Sequence, residues 1–176
     1  MIDSSVEKLA ESKLAILYLL DRMGIPMSKG QLSQFALETN YINYFSFQSY
    51  LSDLVEDKSL KEVEDYGKLV YVNTGDGKKL LELFIHRIPD DIKEKIDQYV
   101  EKTKSKVKRE YEAKATYIHI GEDNYLITCG IYEEEKKLLE VKMTVATKEQ
   151  AAVVIHNWKT KTDTLYFDII TELLEK

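Results

Sequence analysis

Among 176 residues the chain has one cysteine, two prolines, seven glycines and one tryptophan, so little staples it and little breaks it. A lone cysteine, Cys129, can form no internal disulfide, which excludes a disulfide-framed secreted scaffold and predicts a reducing, cytoplasmic setting. With hydrophobic residues at 44% and charged residues at 32%, the scarcity of Pro and Gly excludes a disordered chain and predicts a compact, helix-rich one. Long apolar runs are missing as well. The longest, LAILYLL at residues 14 to 20, is too short to span a bilayer and lies between Lys13 and Asp21, so no membrane partner is expected.

Catalytic spacings are just as scarce. His86, His119 and His156 fall on separate segments with no HxH, HExxH or CxxC pattern, and there is no glycine-rich phosphate loop. No enzyme, cofactor or metal is expected. Cys129 sits in an apolar alternating stretch, where free cysteine behaves as a small buried hydrophobe, and only convergence with His119 across a hairpin would give it a base.

Positive charge is also short. Lys and Arg number 25 against 31 acids, a net charge of -6, which argues against indiscriminate nucleic-acid binding because that affinity comes mostly from cations neutralising phosphates. Residues 1 to 75 carry 7 basic and 11 acidic side chains, residues 76 to 113 carry 10 and 9, and residues 114 to 176 carry 8 and 11. Any nucleic-acid footprint must therefore be local, built from a few placed cations, helix N-termini and neutral polar groups.

What is present is clear periodicity. Residues 5 to 22 set Val6, Leu9, Leu14, Leu17 and Leu20 at helical spacing, and Gly24 and Pro26 end that helix. Ser28 followed by Gln31 is a capping-box pattern with Met27 and Leu32 as its staple, so a second helix runs from Ser28 to about Glu38. Asn43 caps a third helix, FSFQSYLSDLVEDKSL, with Phe47, Leu51, Leu54 and Lys58 on one face and Phe45, Ser49, Ser52, Asp53 and Glu56 on the other. The period then drops to two. Residues 60 to 65 and 68 to 73 form a hairpin around Tyr66-Gly67, residues 74 to 88 return to helix, and Pro89-Asp90-Asp91 opens a long helix to about residue 113. Ile92, Ile96, Tyr99, Thr103 and Val107 form its thin apolar seam, which packs either on its own chain or on a second copy.

From residue 115 alternation resumes in ATYIHIG, NYLITCGIYE and LLEVKMTVAT, an antiparallel meander with Leu139, Val141, Met143 and Val145 facing a core. Gly130 inside the middle strand marks a bulge or close packing. Two helices follow, one capped by Thr147 and one by Thr162 or Asp163. The cluster Lys104, Lys106, Lys108 and Arg109 reads as a solvated helix face or a secondary phosphate contact.

Phe47 with the LxxLV of Leu51, Leu54 and Val55, then Ser59-Leu60, the Tyr66-Gly67 turn, and Thr74, Gly77 and Leu80-Leu81 together resemble the winged-helix domains of bacterial PadR and MarR repressors. The whole chain is similar to a bacterial family of unassigned function in which such a domain precedes a small α/β domain. The resemblance implies an α+β fold: a winged helix-turn-helix over residues 1 to 75, a helical connector over 76 to 113, and a three-stranded antiparallel sheet with two helices over 114 to 176. It implies a dimeric transcriptional regulator of double-stranded DNA, with the C-terminal domain dimerising or sensing a protein or small-molecule effector. By the same resemblance Ser28 and Lys29 touch phosphate, Tyr44, Ser46, Gln48, Ser49 and Ser52 face the major groove, Lys61 or Lys68 reaches the backbone from the wing, and Asn43 belongs to the same DNA-binding set. Ile92, Ile96, Tyr99 and Val107 would form the dimer contact, since two-fold operators require two-fold proteins. The third helix departs from those families in lacking the Arg or Lys they commonly point at bases. The alternative is a winged helix used for protein contact, with YINYFSF as its aromatic surface.

Overall fold

The computed structural model describes residues 2 to 134 and 136 to 175. Among them are six α-helices and two three-stranded antiparallel sheets, divided between two compact units, Met1–Val107 and Lys108–Lys176.

The first unit begins with α1 (Ile2–Met23). Residues 14 to 20 are apolar all round, and a helix of that kind has to be covered on every side. None of the seven is more than 8% exposed. Val6, by contrast, lies on the surface. A two-residue strand, β1 (Met27–Ser28), precedes α2 (Lys29–Thr39), whose start is closed by the reciprocal Ser28 and Gln31 capping box. Asn43 caps α3 (Tyr44–Glu56) by accepting from the Phe45 N–H, and α3 turns Phe47, Leu51 and Leu54 inward. Lys58 does not continue that inner face. The helix stops at Glu56 and Lys58 takes a left-handed conformation (φ 64°), the geometry that commonly terminates a helix, with its side chain exposed.

Strands β2 (Leu60–Asp65) and β3 (Lys68–Asn73) pair across Tyr66 and Gly67, both at positive φ as a two-residue primed turn requires. Because β1 joins the far edge of β3, the sheet order is β1-β3-β2. The hairpin leads into α4 (Gly75–Phe84) through a tight junction. The Thr74 hydroxyl donates to the Lys58 and Ser59 carbonyls at 2.7 and 3.1 Å, accepts from the Gly77 N–H at 3.0 Å, and the Thr74 N–H also donates to the Ser59 carbonyl. A Cβ at Gly77 would stand 2.0 Å from the Ser59 carbonyl oxygen, so only glycine fits there.

A 3-10 turn, Ile85–Arg87, leads to α5 (Asp90–Glu112), inside which the division between the units falls. The seam of α5 is the place where structure narrows the alternatives. Ile92, Ile96, Tyr99 and Val107 are between 1% and 7% exposed within the single chain, joining the core of α1 and α2; Phe35 and Tyr99 meet edge to face at 5.3 Å. The dimer contact expected of these four residues is corrected on this ground: the apolar seam is covered by its own chain and presents almost nothing to a second copy.

The second unit orders β4 (Ala113–Gly121), β5 (Asn124–Glu133) and β6 (Lys136–Val145) as a meander. Leu139, Val141, Met143 and Val145 lie with Ile127, Cys129 and Ile131 on the covered face. Gly130 is paired on both sides, so no bulge falls on it, and its carbonyl accepts from the Trp158 indole N–H; the register shifts one step later, between Ile131 and Tyr132. The two expected C-terminal helices follow one another over Lys148–Leu174, together labelled α6, and are divided by a kink where Lys161 leaves helical geometry (φ -120°, ψ 17°). Just past the kink the Thr162 hydroxyl donates back to the Trp158 carbonyl.

Replacing Gly77 by Ala should destabilise the first unit by about 3 kcal/mol or more, because the clash is with backbone and not with a movable side chain. Gly30→Ala, whose added Cβ finds its nearest neighbour at 3.9 Å, should be neutral or slightly stabilising. Urea unfolding of both variants checks this, and equal midpoints would refute it. In the α5 seam, Ile96→Ala should cost about 2 to 4 kcal/mol with the sedimentation coefficient unchanged.

Candidate nucleic-acid interface

The outward face of α3 is a narrow stripe. Burying Phe47, Leu51 and Leu54 leaves Phe45, Ser49, Ser52 and Glu56 one above another at spacings of four, three and four, all exposed. Three of these four are uncharged. Tyr44 is exposed beside them, its ring edge-on to Phe45 at 5.8 Å. Phe45 is 82% exposed, and it is the residue that the resemblance to repressors passed over. Its signal was in the helical wheel, which puts it at the head of the outer stripe.

The other expected contacts are spread more widely. Ser46 is half-buried, and so is Gln48, whose amide donates to the Ser33 hydroxyl at 3.2 Å and so ties α3 to α2 instead of standing free over the stripe. Asn43 and Ser28 are occupied as helix caps, each offering backbone N–H groups at a helix start and not a free side chain. Asp53, on the flank of α3, is paired with Lys13 of α1 at 2.9 Å, which removes one acid from the field of the stripe. Lys29 is exposed at the first position of α2. Since Ser28 stands opposite Val70, Lys29 lies at the end of the sheet that also holds Lys68, the exposed residue at the hairpin tip. Lys61 is not with them. It pairs with Val72, four residues up the strand from Lys68, so about 13 Å separates the two lysines along the sheet.

Glu62 is engaged as well. The Tyr71 hydroxyl donates to it at 2.6 Å, and burial, with the carboxylate's hydrogen bond and charge adding to it, pushes the phenol up to about 12. A cleft of 660 Å³ at α1 and α5 is lined by Arg22, Asp90, Lys93, Glu94, Asp97 and Lys104 among others, and its charges answer one another: Arg22 pairs with Asp97 at 2.7 Å and Lys93 with Asp90 at 2.9 Å. Of the lysine cluster on α5, Lys104 donates to the Arg22 carbonyl at 3.2 Å and Lys108 faces Glu112 at 3.6 Å.

Among the described residues no group of three His, Cys, Asp or Glu side chains could hold a metal ion, and no helix is long and apolar enough to cross a membrane. Cys129 stands opposite Ala115 and His119 opposite Tyr125, so four residues of strand, about 13 Å, keep the thiol and the imidazole apart. Burial pushes the Cys129 thiol up to about 11, against a smaller opposing effect of Lys159.

The geometry defines a class: an α+β chain of two units, the first carrying three helices ahead of a hairpin, further helices after it, and an exposed, largely neutral helix face. Residues 12–173 match the DUF4364 family, a domain of unknown function, and the chain belongs to that family. No curated protein and no solved structure matches it.

A buried thiol with a raised pKa keeps its proton in the folded chain while the unfolded chain loses its own from about pH 9 upward. The stability it contributes is therefore complete below about pH 9 and declines as the pH climbs toward about 11. Cys129→Ala should lessen that decline in thermal melts between pH 8 and 11, and the native thiol should resist labelling at pH 8. Rapid labelling of the folded protein would restore the reading of a reactive cysteine.

Proposed function

We propose that the chain is a DNA-binding transcriptional regulator whose first unit is a winged helix and whose α3 reads the major groove. Several features support the fold reading. Three helices precede the hairpin, a short strand ahead of α2 completes the sheet, and the turn after β2 projects Lys68 at its tip. The observation that carries the functional reading is the exposed stripe Phe45, Ser49, Ser52 on a helix whose first turn holds no acid and whose N-terminus is capped in the open. Hydroxyls bond either base class, and the positive end of a helix suits phosphate.

The function is proposed to be exercised by a homodimer acting on double-stranded DNA, with the second unit dimerising or sensing. With the α5 seam internal, exposed apolar residues available for assembly include Leu83, Phe84 and Ile85 after the hairpin, Ile118 and Ile120 on β4, and Phe167 on α6. The alternative, a protein-interaction module without DNA, is favoured by one observation: Leu37, Tyr44 and Phe45 are all exposed apolar groups on α2 and α3.

Selection from random duplexes by the purified chain tests the proposal. Affinity for the enriched sequence should depend weakly on salt, with a log-log slope of about -4 to -5 for roughly five phosphates neutralised by a dimer. Ser49→Ala and Ser52→Ala should each cost about 1 kcal/mol on that sequence and little on random DNA. Lys68→Ala should weaken both alike and flatten the slope by about one. No enrichment at moderate salt would leave the protein-interaction module as the function.

A further inference from the structure

Phe45 is the most exposed large apolar side chain among the described residues, and its own fold gives no account of it. Its ring touches Tyr44 edge-on, while the core of α3 is complete with Phe47, Leu51 and Leu54. A partner helix would need apolar anchors repeating along the stripe at spacings of three and four. Here the next positions are Ser49 and Ser52, so along the stripe itself Phe45, with exposed Tyr44 beside it, heads a row of hydroxyls. That alternation has a counterpart in the major groove, where donors and acceptors are interrupted by one apolar feature, the C5-methyl of thymine. The site also suits DNA electrostatically. Phe45 lies in the first turn of α3, at the positive end of the helix, and exposed Lys29 and Lys68 share one end of the neighbouring sheet.

We propose that Phe45 is a specificity-determining residue whose ring packs on a thymine methyl group, with Ser49 and Ser52 bonding the neighbouring base edges. The inference rests on the DNA reading and goes beyond it by naming the base feature recognised. It is an apolar contact, so it adds sequence preference without adding to the salt dependence.

The test uses the full chain and the duplex it enriches from a random pool, with each thymine replaced in turn by deoxyuridine, which removes the methyl group and nothing else. One replacement per half-site should weaken wild-type binding about fourfold, the affinity equivalent of burying one methyl-sized group. Phe45→Ala, which removes the contact from both half-sites of the dimer, should bind the thymine duplex about fifteenfold more weakly and be indifferent to that same replacement, while Phe45→Leu should keep part of the discrimination. Unchanged thermal melts of both variants establish that the fold is intact, as the exposure of the ring leads one to expect. If a duplex is enriched but every deoxyuridine replacement weighs equally on wild type and Phe45→Ala, the methyl contact is overturned and the DNA reading stands. If no duplex is enriched, both fall together. Wild-type affinity of Phe45→Ala for all duplexes assigns the ring to a protein contact and overturns the proposal.

Discussion

The first unit depends on one constraint: the middle of α1 has no polar side to give to water. Leu14 through Leu20 are buried without interruption, so α3, α4, β3 and the turn after α4 are each placed by the side of α1 they cover. Burying side chains of this kind contributes about 1.5 to 3 kcal/mol each relative to exposure, which outweighs any surface ion pair in the unit. The face that α3 shows to solvent follows directly. Once Phe47, Leu51 and Leu54 are turned inward, Phe45, Ser49 and Ser52 have nowhere to point but outward. The Lys13–Asp53 pair at 2.9 Å adds little energy, yet it sets one flank of α3 against α1 and lowers the negative charge beside the stripe.

What could be read from the sequence were features whose cause is local. The Ser28 and Gln31 capping box, the Asn43 and Thr147 caps and the Tyr66-Gly67 turn each depend on a few neighbouring residues, and each has the geometry its residues call for. What could not be read was set by partners distant in the chain. Periodicity identifies Ile92, Ile96, Tyr99 and Val107 as an apolar seam but does not say what covers it; the answer lies about eighty residues upstream, in α1 and α2. β1 is two residues long, too short for any period, and exists through its pairing with β3. Lys58 fits a helical wheel that the chain has already left, and Thr162 has the side chain of a cap but bonds the carbonyl four residues behind it. For the candidate site the same division holds: the outer position of Phe45, Ser49 and Ser52 follows from spacing alone, whereas the bond from Gln48 to Ser33 and the distance between Lys61 and Lys68 arise from packing and register.

The two units solve the problem of burial differently. The first surrounds a helix; the second covers one face of a meander with two consecutive helices divided by a kink at Lys161. Trp158 joins the two layers, its indole N–H reaching the carbonyl of Gly130. An acidic chain of this kind has no diffuse attraction for polyanions, so on the proposed reading discrimination must come from shape and base edges.

The junction at Thr74 and Gly77 has a mechanical consequence. One hydroxyl links the carbonyls that follow α3 to the first turn of α4, and the missing Cβ lets the two backbones touch. A hinge needs slack, and here there is none: the end of α3, the exit of the hairpin and the start of α4 form one welded corner. A shift of the start of α4 therefore carries the residues that end α3 with it.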